Sequence, residues 1–368
     1  MNSLTGSIHV LGDFAKSRYL TYPHANGFAD GGRSLVVGQR GSDTFLLWHV
    51  DLLSGRETKL GEWPQKLCGV EMLWFDIASR ANVLITIVDN AVWKVDLNDP
   101  SPKPEVVYRE TDGVLQALPS VTAGGTRVLM GRSCGSRYQA VEIDLTGASE
   151  SRVLFQSEWF ANHFHYSPYD EAWVGFSHEG PADQVGDRVW GWHASAAPEG
   201  KCYFDNASAG LCVGHERWSF HETSAFAVAY GMSPKAPRGI YEVFPKTGSS
   251  RLVSEGDRDW HLNVSQDGRW IVVDTTGPYD APGRGWENAG CISDVLVVDA
   301  KSGLRKFVGR SCLAKGFHVH PHPVFSPDGM TVFFNEASAD GLACRVVTVE
   351  NPFADASKPQ VEKSVATV

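Results

Sequence analysis

The chain has 368 residues and a formal charge of −10, which excludes nucleic acid as the main partner, because phosphate binding rests on basic patches. It is 42% hydrophobic and 21% charged, as in soluble globular proteins, and no apolar run is long enough for a bilayer, so no membrane span is expected. Seven scattered cysteines with no CxxC pair fit reduced thiols, and the N-terminus lacks a basic stretch followed by an apolar core, so a cytoplasmic location is expected.

In chain order, a turn signal followed by an apolar strand recurs seven times. The anchors are FADGGRSLVV around Asp30, DIASRANVLI around Asp76, TAGGTRVLM around Gly124 and SPYDEAWVGF around Asp170. They continue with HETSAFAVAY around Glu222, SQDGRWIVVD around Asp267 and SPDGMTVFF around Asp328. Their spacing, about 45 to 60 residues, is that of a four-stranded propeller blade. A second alternating strand and a polar turn follow most anchors, as in LLWHVDLLSG, AVWKVDLNDP, YQAVEIDLTG and DVLVVDAKSG. Period-two alternation bounded by Asp, Gly and Asn, without long helical patterns, predicts antiparallel β-structure throughout. The expected fold is therefore all-β, a seven-bladed β-propeller forming a single domain over residues 1–368. The strand Gly6–Val10 is expected to complete the last blade. Two insertions rich in Gly, Pro and charge, EGPADQVGDRVWGWHASAAPEGK and TTGPYDAPGRGWENAGC, read as long loops on one face.

Gly131-Arg132-Ser133-Cys134-Gly135 matches the nucleophile-elbow pattern GxSxG. That motif needs a helix after the serine, whereas an alternating strand follows here, so the match is accidental. In Phe176-Ser177-His178-Glu179-Gly180-Pro181 and the following loop to Trp190, Arg188 is placed to clamp a carboxylate bidentately. A surface ion pair with Asp183 or Asp187 is the plainer reading of the same residues. His215, in Gly214-His215-Glu216-Arg217-Trp218, has the chemistry of a general base but equally that of a structural histidine.

The stretch Phe317-His318-Val319-His320-Pro321-His322-Pro323 carries three histidines at alternate positions. Its prolines fix an extended backbone, so alternate side chains share one side. Alone, it fits a solvated His-Pro loop as well as a metal site. His261 stands just before the SQDG turn, the place that His320 and His322 occupy before SPDG one blade later. Successive blades bring such positions together at the channel mouth, so His261, His320 and His322 can converge on one ion.

These segments together resemble the oligogalacturonate lyase family, cytoplasmic seven-bladed propellers. The resemblance rests on FSHEGPADQVGDRVW, GHERW, WHLNVSQDGRWIVVD and HPHPVFSPDG, in the family's order. It implies a lyase that cleaves short uronate-containing oligosaccharides by β-elimination. His215 would be the Brønsted base, Arg188 would bind the uronate and stabilise developing charge, and His178 would join the substrate-binding residues. His261, His320 and His322 would hold a divalent ion, typically manganese (Mn2+), with His318 as a further candidate ligand. Two positions depart from the family. Phe317 stands where the family has a glutamine ligand, and Ala182 stands where it has a histidine after HEGP. Those departures favour the alternative, a non-catalytic propeller binding sugars or protein partners with a degenerate metal pocket.

Overall fold

The computed structural model describes residues 9–68, 72–147, 150–312 and 320–354. Seven antiparallel sheets follow one another along the chain, two of them carrying an extra short strand, and they form the seven blades of a β-propeller. The innermost strands adjoin one another around the ring. They are Phe28–Ala29, Phe75–Ala78, Ser120–Val121, Ala161–Tyr166, Val213–Trp218, Asp259–Val264 and Val324–Phe325, in blades one to seven.

Both faces of a blade pack against neighbouring blades, so the second strands are apolar on both sides rather than alternating. Val83–Val88 in blade two and Trp270–Thr275 in blade six are buried throughout. Between blades six and seven, Trp270, Val272, Val295 and Val297 meet Phe325, Val332, Phe334 and Val347. Burial of about 25 cal/mol per Å² of such surface is the dominant favourable term holding adjacent blades together.

The repeated turn chemistry is local. In SQDG, the Ser265 hydroxyl donates to Asp267 Oδ1 at 2.7 Å and the Arg269 amide donates to the same oxygen at 3.1 Å. In SPDG, Ser326 and Met330 bond Asp328 in the same way, at 2.6 and 3.0 Å. Gly268 and Gly329 take φ of +69° and +73°, which glycine adopts without a Cβ penalty.

The N-terminal strand His9–Leu11 pairs antiparallel with the outer strand Cys344–Glu350, Val10 opposite Val347. The first and last parts of the chain thus share blade seven, and the ring is tied shut by main-chain hydrogen bonds. Of the expected strand Gly6–Val10, His9 and Val10 lie in this N-terminal strand, and residues 6–8 lie outside the described residues. The insertion of blade four is less of a loop than its composition suggests, since Val189–His193 and Ala197–Cys202 are that blade's third and fourth strands. Gly191, Pro198 and Gly200 lie inside these strands. The GxSxG serine, Ser133, lies inside Arg127–Cys134 and is followed by the strand Arg137–Asp144.

Candidate metal centre and active-site cavity

The side chains that gather at the channel mouth come from irregular points of the inner strands. Register shifts occur between Asn162 and His165 in blade four, Gly214 and Arg217 in blade five, and Asp259 and Leu262 in blade six. Within the first two, His163 and His215 take left-handed backbone, φ +58° and +52°; His322 does the same at +44°. A bulge breaks the strict alternation of a strand and re-aims a side chain, at a backbone cost that the surrounding packing must sustain. Three consecutive blades use this device to place a histidine near the axis.

His261, His320 and His322 come together as their positions in the repeat imply. Ring centroids lie 4.3 Å apart for His261 and His322, 5.0 Å for His261 and His320, and 6.0 Å for His320 and His322. His261, His320 and Asp274 offer ligand atoms all within 4.8 Å of one another. Asp274 is fully buried, and it accepts from His261 Nδ1 at 3.0 Å, from the His261 amide at 2.7 Å and from the His322 amide at 3.2 Å. With Nδ1 so engaged, His261 presents Nε2, and Asp274 fixes both the ring and the neighbouring backbone, the support expected behind a ligating histidine. Nδ1 of His322 is buried without a hydrogen-bond partner among the described residues. Such an atom is costly to leave unsatisfied, and a cation would satisfy it.

Next to this cluster lies a small cavity of about 80 Å³, room for several waters, lined by Tyr22, His163, Glu179, Arg188, His215 and His261 among others. Its floor is the segment Tyr22-Pro23-His24. Asn263 Nδ2 donates to the Pro23 carbonyl at 2.7 Å and Arg217 Nη1 to the His24 carbonyl at 2.8 Å. Beneath that floor a wider channel of about 510 Å³ continues along the axis past Arg217 and Asn263.

His215 Nδ1 lies 2.9 Å from the Trp260 carbonyl and 3.1 Å from the Tyr230 hydroxyl. A carbonyl only accepts, so Nδ1 carries the proton and Nε2 keeps its lone pair. The His215 ring is 4.2 Å from that of His261. Arg188 is buried and held from two sides, Nη1 donating to the Gly180 carbonyl at 2.7 Å and Nη2 to Glu179 at 2.9 Å. Its partner is Glu179, not Asp183 or Asp187, and its Nε is without a partner among the described residues.

Burial, followed by repulsion from neighbouring histidines, holds the imidazoles of His215, His261 and His322 well below their ordinary range. Their neutral form, required of a base and of a metal ligand alike, is therefore the one present at neutral pH. The carboxyl group of Asp274 is pushed up to about 7 by burial, opposed by His320 and the two backbone amides. Glu216, whose Oε2 accepts from Ser177 at 2.7 Å, is likewise raised by burial.

His178 is not brought to this cavity. Along Trp173–His178 the alternation of the strand sends Ser177 and then Glu179 to the cavity, and His178 to the opposite side. There its ring lies 4.2 Å from Trp159 and Nδ1 is 2.7 Å from Asp187. His318 and Phe317 lie outside the described residues. Ala182 packs against the apolar cluster shared by blades five and six. Sequence reasoning missed Tyr22, His24, His163, Glu179, Tyr230 and Asp274. For His24 a signal existed: it precedes Asp30 by six residues, as His261 precedes Asp267 and His322 precedes Asp328.

A family model described as oligogalacturonate lyase matches residues 130–352. The chain is 28% identical over 208 residues to an oligogalacturonate lyase of Dickeya dadantii and 27% identical over 208 residues to an oligogalacturonide lyase of Pectobacterium atrosepticum. Each match covers 55% of this chain and 52% of the relative, so the chain spans about half the length of the curated relatives it matches. The structure superposes on that of an oligogalacturonate lyase in complex with manganese with a TM-score of 0.80, at 21% identity, over 96% of this chain and 95% of that one. A second oligogalacturonate lyase structure, from Vibrio parahaemolyticus, gives a TM-score of 0.78 at 19% identity, over 94% of each chain.

Proposed function

Since the chain belongs to the oligogalacturonate lyase family, we propose that it is a metal-dependent lyase cleaving short uronate oligosaccharides of the oligogalacturonate type by β-elimination. The observation that carries this reading is the convergence of His261, His320 and His322 beside a neutral His215 and the buried Arg188. The donor set fits a divalent cation of the kind bound by the manganese-containing structural relative. Three imidazoles, one with an orphaned buried nitrogen and one braced by a carboxylate, suit a first-row divalent ion and leave positions open.

A cation held by His261, His320 and His322 would neutralise the substrate carboxylate and make the adjacent C5 proton more acidic. The residues of the chain do the rest. Arg188, immobilised by Glu179 and Gly180, offers fixed positive charge to the carboxylate as the second negative charge develops on it. Nε2 of His215 takes the C5 proton, and Trp260 and Tyr230 hold the ring with that nitrogen available. The electron pair from the C5–H bond becomes the C4=C5 double bond as the C4–O bond breaks and the glycosidic oxygen leaves with its electrons and takes up a proton. No water enters the products. A cytoplasmic, reducing setting belongs to the same proposal, and the seven free thiols support it.

The test is ultraviolet absorbance of the unsaturated uronate released from oligogalacturonate by the manganese-loaded protein. His215→Ala is expected to lower the rate on the order of a hundredfold or more. An unchanged rate in that variant would remove the base assignment.

A further inference from the structure

The loop between the second and third strands of blade six, residues 276–291, is held in place by a buried arginine. Arg258 Nη1 donates to the Gly285 carbonyl at 2.7 Å, and its Nη2 to the carbonyls of Pro282 and Glu287 at 2.8 and 2.9 Å. The Gly285 amide closes the clamp on the Asp257 carbonyl at 2.7 Å. Gly231 packs so tightly beneath it that an added Cβ would lie 2.1 Å from the Gly285 nitrogen.

From this fixed loop Trp286 projects with 49% of its surface exposed. Burial does not explain a large aromatic side chain in that position. Its ring meets Trp260 edge to face at 5.5 Å and lies 6.1 Å from the ring of His320. Trp260 in turn lies 4.6 Å from Tyr230 and 4.9 Å from His215. An unbroken aromatic run thus leads from the proposed base and metal ligands to solvent.

We propose that Trp286, backed by Trp260, is the stacking platform for the sugar on the reducing-end side of the one whose carboxylate faces the metal centre. This rests on the lyase reading of the same site. The apolar C–H face of a pyranose ring matches an indole face, and a tryptophan held by its loop gives up little conformational freedom on binding. The platform would therefore add affinity only for chains that extend past the cleaved pair, since the two sugars of a disaccharide are the metal-facing one and the one that leaves from its C4.

Steady-state cleavage of di- and trigalacturonate by the manganese-loaded enzyme provides the test, together with calorimetric titration of both sugars on a His215→Ala background. Trp286→Ala is expected to lower kcat/KM for the trimer, through KM, on the order of fivefold to tenfold more than for the dimer. Trp286→Tyr should restore most of the difference, and manganese content should not change. An equal effect on the two sugars, or none, overturns the proposal. Wild-type protein inert toward both sugars would overturn the lyase reading instead. In that event the titrations still decide, because loss of the preference for trimer in Trp286→Ala supports the platform and an unchanged preference overturns it.

Discussion

Replacing Asp274 with asparagine keeps shape while removing one of its two accepting oxygens, and it probes how the candidate metal centre is held. The carboxylate accepts three hydrogen bonds and donates none: the His261 amide on one oxygen, and His261 Nδ1 with the His322 amide on the other. A carboxamide has one accepting oxygen, so in either orientation its NH2 group faces at least one N–H donor. The substitution therefore misaligns either the His261 ring or the backbone that carries both histidines. Loss of such a supporting carboxylate costs about 10- to 100-fold in metal affinity, or about 1.4–2.7 kcal/mol. Calorimetric titration with manganese reads this directly, and denaturant unfolding of the metal-free protein separates it from a general loss of stability. A manganese Kd within twofold of wild type would refute the assignment of Asp274 as the group that orients His261.

Four further outcomes follow from the geometry. His322→Ala should reduce bound manganese, measured by elemental analysis, well below one per chain, and retention of a full equivalent would show that His322 is not a ligand. Glu179→Gln frees Arg188 from its charge-assisted bond at 2.9 Å, worth about 1.5–3 kcal/mol; kcat/KM on oligogalacturonate should fall on the order of tenfold or more, while an unchanged value would mean that Glu179 does not position the arginine. Gly175→Ala would place a Cβ 1.9 Å from Nε1 of Trp218, which is fully buried, so urea unfolding should show a loss of about 1–3 kcal/mol or more, and a stability equal to wild type would contradict the packing of blade four on blade five. Glu57 is held at about 2 by its hydrogen bonds from Arg18, below its ordinary 4.5. The unfolded chain thus binds the extra proton as pH falls through this window, and the stabilisation is present above about pH 4.5 and lost toward pH 2. Glu57→Gln should be slightly less stable than wild type at neutral pH, the effect being small because Glu57 is largely solvated, and the two melting curves should converge in acid; a constant difference would refute the linkage.

The structure supports some parts of the sequence reading more fully than others. His261, His320 and His322 were legible because their places in the repeat are local facts, and the repeat translates equal places into proximity. Arg188 stood out in the sequence as an arginine in an acidic loop, but its ion-pair partner did not. Glu179 lies nine residues upstream, and only the course of the loop turns the arginine back to it. His178 shows the opposite case, a residue inside a telling segment whose side chain the pleat sends away from the cavity.

What the sequence determined by itself is the blade and its number. Strand alternation, Ser-x-Asp-Gly turns and buried second strands depend on neighbours a few residues apart, and seven copies of one unit can close a ring without further instruction. What only the tertiary structure decided is the cavity. His163 and His215 face it through bulges that no alternation pattern predicts, and Asp274 reaches two histidines, one of them 48 residues away. Its floor depends on Asn263 and Arg217 bonding a segment some 200 residues earlier. Hydrogen bonds of that range form only when the ring has closed and water has left the axis, so they belong to the fold rather than to any stretch of the chain.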